Sequence, residues 1–250
     1  MSNIFLSSSL LRLASLEAGC EFFDEDDTIA TPDCTTKIYG FRPSSLITNI
    51  AIISGLLAAF TMPLIGALID FTPHRRKIGV YSAAVMMAIQ AIQIGTVQST
   101  WFAMAMLQAL AAFVYQVQVL ATYAYLPDLA SKVGQSSMTK FTSIFLITQF
   151  ASGLFFLLLI SIVSMVVGLS DVTTAQMSQA INFVWVSMFF VIGWKYLPNV
   201  DTLQKIPEGR SIYSAGFVKI ANSAIGITKY YGGSVGWFFV AIVFAEAGEI

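Results

Sequence analysis

"GALIDFTPHRRKIG", residues 66–79, decides how the rest of the chain is read. It closes a long apolar run with an acid at Asp70, then sets His74, Arg75, Arg76 and Lys77 side by side. A second apolar run begins at once with Ile78. A short, densely basic turn between two segments that avoid water is the pattern of a hairpin joining membrane helices.

Composition supports that reading outward along the chain. The 250 residues are 56% hydrophobic and only 11% charged, where a soluble domain carries about 25% charged residues. No Asp, Glu, Lys or Arg occurs from Ile78 to Pro127, from Phe141 to Ser170, or from Val172 to Trp194. About 20 apolar residues span the hydrocarbon core of a bilayer. Six membrane segments are therefore expected: roughly 44–70, 78–98, 101–126, about 141–169, about 177–197, and one starting near Val235 and running to the end of the sequence. The runs are apolar on all sides, not alternating, which argues for helices over barrel strands. The fold class expected is all-α, a polytopic membrane bundle with the lipid bilayer as its solvent. The net charge of −1 argues against a nucleic-acid partner, which would need a broad basic face to neutralise phosphates.

Lys and Arg set the orientation. Ten bases fall in alternate loops: Arg75, Arg76, Lys77, Lys132, Lys140, Lys195, Lys205, Arg210, Lys219 and Lys229. Only Arg12, Lys37 and Arg42 fall on the other side, so the basic side faces the cytoplasm. Residues 1–43 then form an acidic non-cytoplasmic loop, rich in Asp and Glu from Glu17 to Asp33. That loop holds the two cysteines, Cys20 and Cys34. A disulfide in an oxidising compartment and two unpaired thiols both fit. Residues 44–197 form a five-helix membrane bundle, 198–233 a central cytoplasmic loop, and 234–250 the start of a further helix.

Enzyme chemistry has little to build on. The single histidine, His74, lies in the basic turn, and the chain contains no HExxH, Cys-x-x-Cys or Gly-rich phosphate loop. No enzyme activity, cofactor or metal site is expected. Polar side chains instead recur in stripes along the spans. Gln90 and Gln93 share a face in the second. Gln108, Tyr115, Gln118 and Thr122 share one in the third, Gln149 lies between Thr142 and Ser152 in the fourth, and Asn182 follows Ser178 in the fifth. Such groups in lipid either bond one another across helices or line a wet cavity. For the stripes together the expectation is a cavity lined by Gln90, Gln93, Gln108, Tyr115, Gln118, Gln149 and Asn182, suited to a small polar solute such as a zwitterion.

Gly66-x-x-x-Asp70 followed by Arg75, Arg76 and Lys77 resembles the signature between the second and third helices of major facilitator transporters, roughly Gly-x-x-x-Asp-Arg-x-Gly-Arg-Arg. Phe71 stands where the first Arg is usual, and Pro73-His74 replaces the Gly step. The resemblance implies that Gly66 permits a close helix contact, and that Asp70 pairs with Arg75 or Arg76. Asp128 would join them in a latch on the cytoplasmic side. "AYLPDLA" (124–130), "SAGFVKI" (214–220) and "ITKYYGGSVGWFFVAIVFAEAGE" (227–249) narrow the resemblance to the unknown-major-facilitator branch that includes autophagy-related vacuolar amino-acid effluxers. The family has twelve helices in two lobes with the substrate between them. By this match the first span is the family's second helix and the last its seventh. The chain then represents most of an N-terminal lobe, with the C-terminal lobe missing and the first helix only hinted at by "IFLSSSLLRL". The function implied is secondary transport by alternating access, with amino-acid efflux from a vacuole- or lysosome-like compartment first and the plasma membrane as the alternative site. Glu246 is the candidate coupling acid. Sugars or other small solutes are alternative substrates, and a membrane receptor or regulatory scaffold without flux is the alternative class.

Overall fold

A proline shapes the turn from which the sequence reading starts. Thr72 precedes Pro73, and the proline ring disfavours helical backbone at the preceding residue. Thr72 is accordingly extended, with φ −126° and ψ 154°, and it ends α2 (Leu46–Phe71). The chain resumes as α3 (Arg75–Gln93) two residues past that proline. The computed structural model describes residues 2–19, 36–40, 42–134, 136–199, 206 and 211–248. Among them the regular elements are helices, with no β-strand. The remaining helices are α1 (Ser2–Glu17), α4 (Trp101–Tyr123), α5 (Leu126–Val133), α6 (Ser136–Val167), α7 (Asp171–Tyr196) and α8 (Ile212–Gly248).

Local chemistry fixes several of these ends. Gly168, at φ +68°, takes the left-handed conformation that stops α6, and Leu169 N–H closes back on the Ser164 carbonyl at 3.0 Å. Ser170 then caps α7, its hydroxyl accepting from Thr173 N–H at 3.3 Å. Asp171 in the first turn of α7 and Lys195 in the last complement the helix dipole. Gly134, at φ +101°, follows α5.

Four segments are long and apolar enough to cross a membrane by length and composition: Pro43–Phe71, Trp101–Val133, Thr139–Val167 and Asp171–Tyr196. Their outer surfaces carry exposed Ile, Leu, Phe and Val, including Ile147, Phe150, Leu154 and Ile162 on α6. In water that surface would be a liability, and in lipid it is the expected exterior. The chain is thus a helical membrane bundle. Of the six expected spans, the segment 78–98 and the one from Val235 are not among these four. α3 is 19 residues long and opens with three bases, which cuts its apolar length.

Two departures from the sequence reading concern whole elements. Residues 1–43 were expected as one loop, but Ser2–Glu17 is a helix whose Leu6, Leu10, Leu13 and Ala14 are buried against Leu46, Ile50, Met104, Ala105 and Ala175. Serines between those leucines lower its hydropathy, which hides a stripe at helical spacing. Residues 198–233 were expected as a cytoplasmic loop, but α8 starts at Ile212 and runs without a break past Val235. The 26 residues of α2, the 23 of α4, the 32 of α6 and the 26 of α7 form the long body of the bundle. α3 packs on α4 and α7, α2 on α4 and α8, and α1 on α7 and α4. Cys20 and Cys34 lie outside the described residues.

Candidate functional site

Charged side chains gather at the end of the bundle where α2 turns into α3. Arg75, in the first turn of α3, is buried to 1% exposure. A buried guanidinium needs an anion and further acceptors. Its Nη1 donates to Asp128 Oδ2 at 2.5 Å and to the Ala124 carbonyl at 2.8 Å, and the group sits 5.1 Å from the centroid of the Tyr125 ring. Arg76 turns the other way. Its Nε and Nη2 donate to the Trp194 carbonyl at 3.2 and 3.0 Å, occupying a carbonyl at the C-terminal end of α7. Asp70 pairs with neither arginine. Its carboxylate accepts from Lys219 Nζ at 2.5 Å, and that ammonium lies 5.8 Å from the Phe71 ring centroid.

Lys219 was not among the residues expected from sequence. It lay in the segment expected as a loop, although Ala215, Gly216 and Lys219 already have helical spacing. A glycine carries it to Asp70: a Cβ on Gly216 would lie 2.1 Å from the Pro63 carbonyl oxygen. Only a residue without a side chain lets α8 approach α2 this closely. The close contact expected at Gly66 is therefore found at Gly216, since a Cβ on Gly66 would meet nothing within 4 Å.

The seven residues expected to line one cavity are separated by the fold. Gln93 Nε2 donates to Gln108 Oε1 at 3.2 Å in the buried seam between α3 and α4. Gln90 is buried in α3, and Asn182 is partly buried in α7. With its amide oriented to satisfy its neighbours, Gln118 Nε2 donates to the Gly79 carbonyl at 2.9 Å and to Ser82 Oγ at 2.8 Å, while its Oε1 accepts from Trp194 Nε1 at 2.8 Å. One amide thus ties α3, α4 and α7 together. Gln93, Gln108 and Gln118 lie at helix seams because a bonded pair between helices removes polar groups from lipid without requiring a wet space. Spacing along one helix cannot distinguish a seam from a cavity.

Tyr115 and Gln149 do face a cavity, and Gln149 Nε2 donates to the Tyr115 hydroxyl at 2.8 Å. This open cleft, about 980 Å³, has four walls. α2 supplies Ala58, Ala59, Met62, Pro63, Gly66, Ala67 and Asp70, and α4 supplies Tyr115, Gln116, Val119, Leu120 and Tyr123. α6 supplies Leu146 and Gln149, and α8 supplies Gly216, Lys219, Ile220, Ser223 and Ala224. Gly66 thus widens the cleft instead of closing a helix contact. The arrangement is an apolar trough with one ion pair and one tyrosine–amide pair, the usual make-up of a site for an organic ligand. Among the described residues no cluster of His, Cys, Asp and Glu is placed to hold a metal ion. Glu246 belongs to α8 by its backbone, and its side chain lies outside the described residues. Comparison of the chain with known protein families, characterised proteins and solved structures found no match.

Proposed function

We propose that this chain is part of a facilitator-type secondary transporter of the major facilitator superfamily that moves a small organic solute through the cleft by alternating access. The observation that carries the reading is the cleft's construction. Its walls come from four separate helices, and two of them, α2 and α8, are linked within its lining by Asp70 and Lys219. α8 rests on α2 through small residues, Ala215 and Gly216 on Ala67 and Pro63, and one ion pair, so that breaking the pair leaves a smooth apolar contact that can slide, whereas the α3–α4–α7 seams, tied through Gln93, Gln108, Gln118 and Trp194, move as a unit. The latch anticipated around Asp70 is then Asp70–Lys219, and Arg75–Asp128 is a fixed brace. Only part of this latch is shielded from water, so it suits a contact that must open as well as close. The resemblance of residues 66–77 to major facilitators, and of "AYLPDLA", "SAGFVKI" and residues 227–249 to vacuolar effluxers, makes amino acids the first substrates to try and a vacuole- or lysosome-like membrane the first place to look.

The test is efflux of amino acids from lipid vesicles that contain the protein, with and without Asp70→Asn. Efflux that falls several-fold in the variant supports transport gated by the latch. Equal efflux from both keeps the transporter and removes the latch from its cycle. Absence of efflux for amino acids and sugars alike favours the receptor or scaffold reading.

A further inference from the structure

Resting on the reading of the cleft as a solute path, we infer that Asp70 and Phe71 form a subsite for an organic ammonium ion. In this structure the Lys219 side chain fills that subsite as an internal stand-in for the ligand. Three observations carry this. The Lys219 ammonium makes the two contacts by which proteins hold alkylammonium groups, a carboxylate at 2.5 Å and an aromatic ring 5.8 Å from its centroid. The carboxylate opens onto the cleft, because Asp70 and Lys219 both line it. The rest of that wall, including Met62, Pro63 and Ala67, is apolar and offers a bed for a hydrocarbon body.

The ligand class follows from that chemistry. A cleft of about 980 Å³ is at the upper end of the roughly 300–1,000 Å³ that enclose drug-sized ligands. Apolar walls with one available anion select an amphipathic amine, in which a protonated nitrogen takes Asp70 and an apolar body lies along α2 and α4. The incoming ammonium replaces Lys219 one for one, so the charge beside Asp70 is unchanged. Lys219, already 37% exposed at its side chain, is released to the mouth of the cleft. Binding and unlatching of α8 are then a single exchange: the amine both occupies the site and breaks the ion pair between α8 and α2, leaving only apolar packing between them. Lys219 also competes with every ligand, and apparent affinity is reduced by the fraction of time the site is occupied from within.

Phenethylamine and its uncharged counterpart 2-phenylethanol test this by titration calorimetry on the protein in lipid nanodiscs. Wild-type protein should prefer the amine, and Asp70→Asn should abolish the preference. Lys219→Met, which removes the internal ammonium, should tighten phenethylamine binding by roughly tenfold or more and leave 2-phenylethanol binding unchanged. Lys219→Gln keeps a donor for Asp70 without the charge and should shift affinity in the same direction, which covers the case where Lys219→Met does not fold. Equal binding of the amine before and after loss of the Lys219 charge overturns the proposal, as does an equal gain for the alcohol. Amine binding without flux of any solute from vesicles leaves the subsite standing and defeats the transporter reading. Flux of a solute with no binding of the amine does the reverse.

Discussion

Two residues at the basic end show how sharply single positions are constrained. A Cβ on Gly79 would lie 1.9 Å from the Trp194 ring, so the first turns of α3 rest directly on that indole. Gly79→Ala must push Trp194 aside and break its bond to Gln118, and a loss of about 1–3 kcal/mol, as for other overpacked cores, is expected. Gly66→Ala should leave stability unchanged or raise it by up to about 1 kcal/mol, because alanine favours helix and the added methyl meets open space. Thermal unfolding in one detergent separates the two variants, and equal midpoints would refute the contrast. Arg75 and Asp128 differ in another way. Their side chains are 2% and 27% exposed, so the cation is the more deeply buried partner. Asp128→Asn strands a buried guanidinium and should cost about 3–5 kcal/mol. Arg75→Gln leaves a carboxylate that reaches water and should cost clearly less. A double-mutant cycle that found the arginine variant the worse of the two would show that the brace has been read in the wrong sense.

Elements are held in register by the amide seams, and here sequence and structure part company most instructively. The long apolar runs predict α2, α4, α6 and α7 closely, because about twenty uncharged residues can form little else in a bilayer. α1 was only hinted at by "IFLSSSLLRL", because Ser7, Ser8 and Ser9 interrupt its leucines, and the start of α8 was read into the central loop, where Lys219 and Lys229 break the apolar run. The charged cluster was legible as a group, since Asp70, Arg75, Arg76 and Asp128 all fall at one end. Its pairing was not legible, because Lys219 reaches Asp70 through a tertiary approach at Gly216 that no local pattern encodes. The polar stripes were visible as stripes, but Gln93, Gln108 and Gln118 bond between helices while Tyr115 and Gln149 face the cleft. A seam amide has a signature that a cavity amide lacks. Gln93→Leu alone should cost about 1–3 kcal/mol by leaving Gln108 buried without its partner, whereas Gln93→Leu with Gln108→Leu should come back close to the parent. Unfolding of the two variants measured side by side decides this, and equal losses in the single and double variants would remove the amide pair from the account of how α3 meets α4.

At the scale of the whole molecule, the charges sort to two ends. Asp70–Lys219, Arg75–Asp128 and the Arg76–Trp194 contact lie at one, and Arg12–Asp171 joins α1 to the start of α7 at the other. Between them the bundle presents apolar surface, a body that fits a membrane with its ends in water or headgroups. Bases outnumber acids at the first end, where His74, Lys77 and Lys195 are also exposed, so that end should face the cytoplasm. Single cysteines test the disposition directly. In a background with Cys20→Ser and Cys34→Ser, Lys77→Cys should react with a membrane-impermeant maleimide only when the reagent has access to the cytoplasmic face. Leu169→Cys, in the turn between α6 and α7, should react only from the opposite face. Labelling of both from one side would mean that α3, α4 and α6, the long helices between the two positions, do not all cross, and the cleft walled by α2, α4, α6 and α8 would then open along the surface of the bilayer instead of through it.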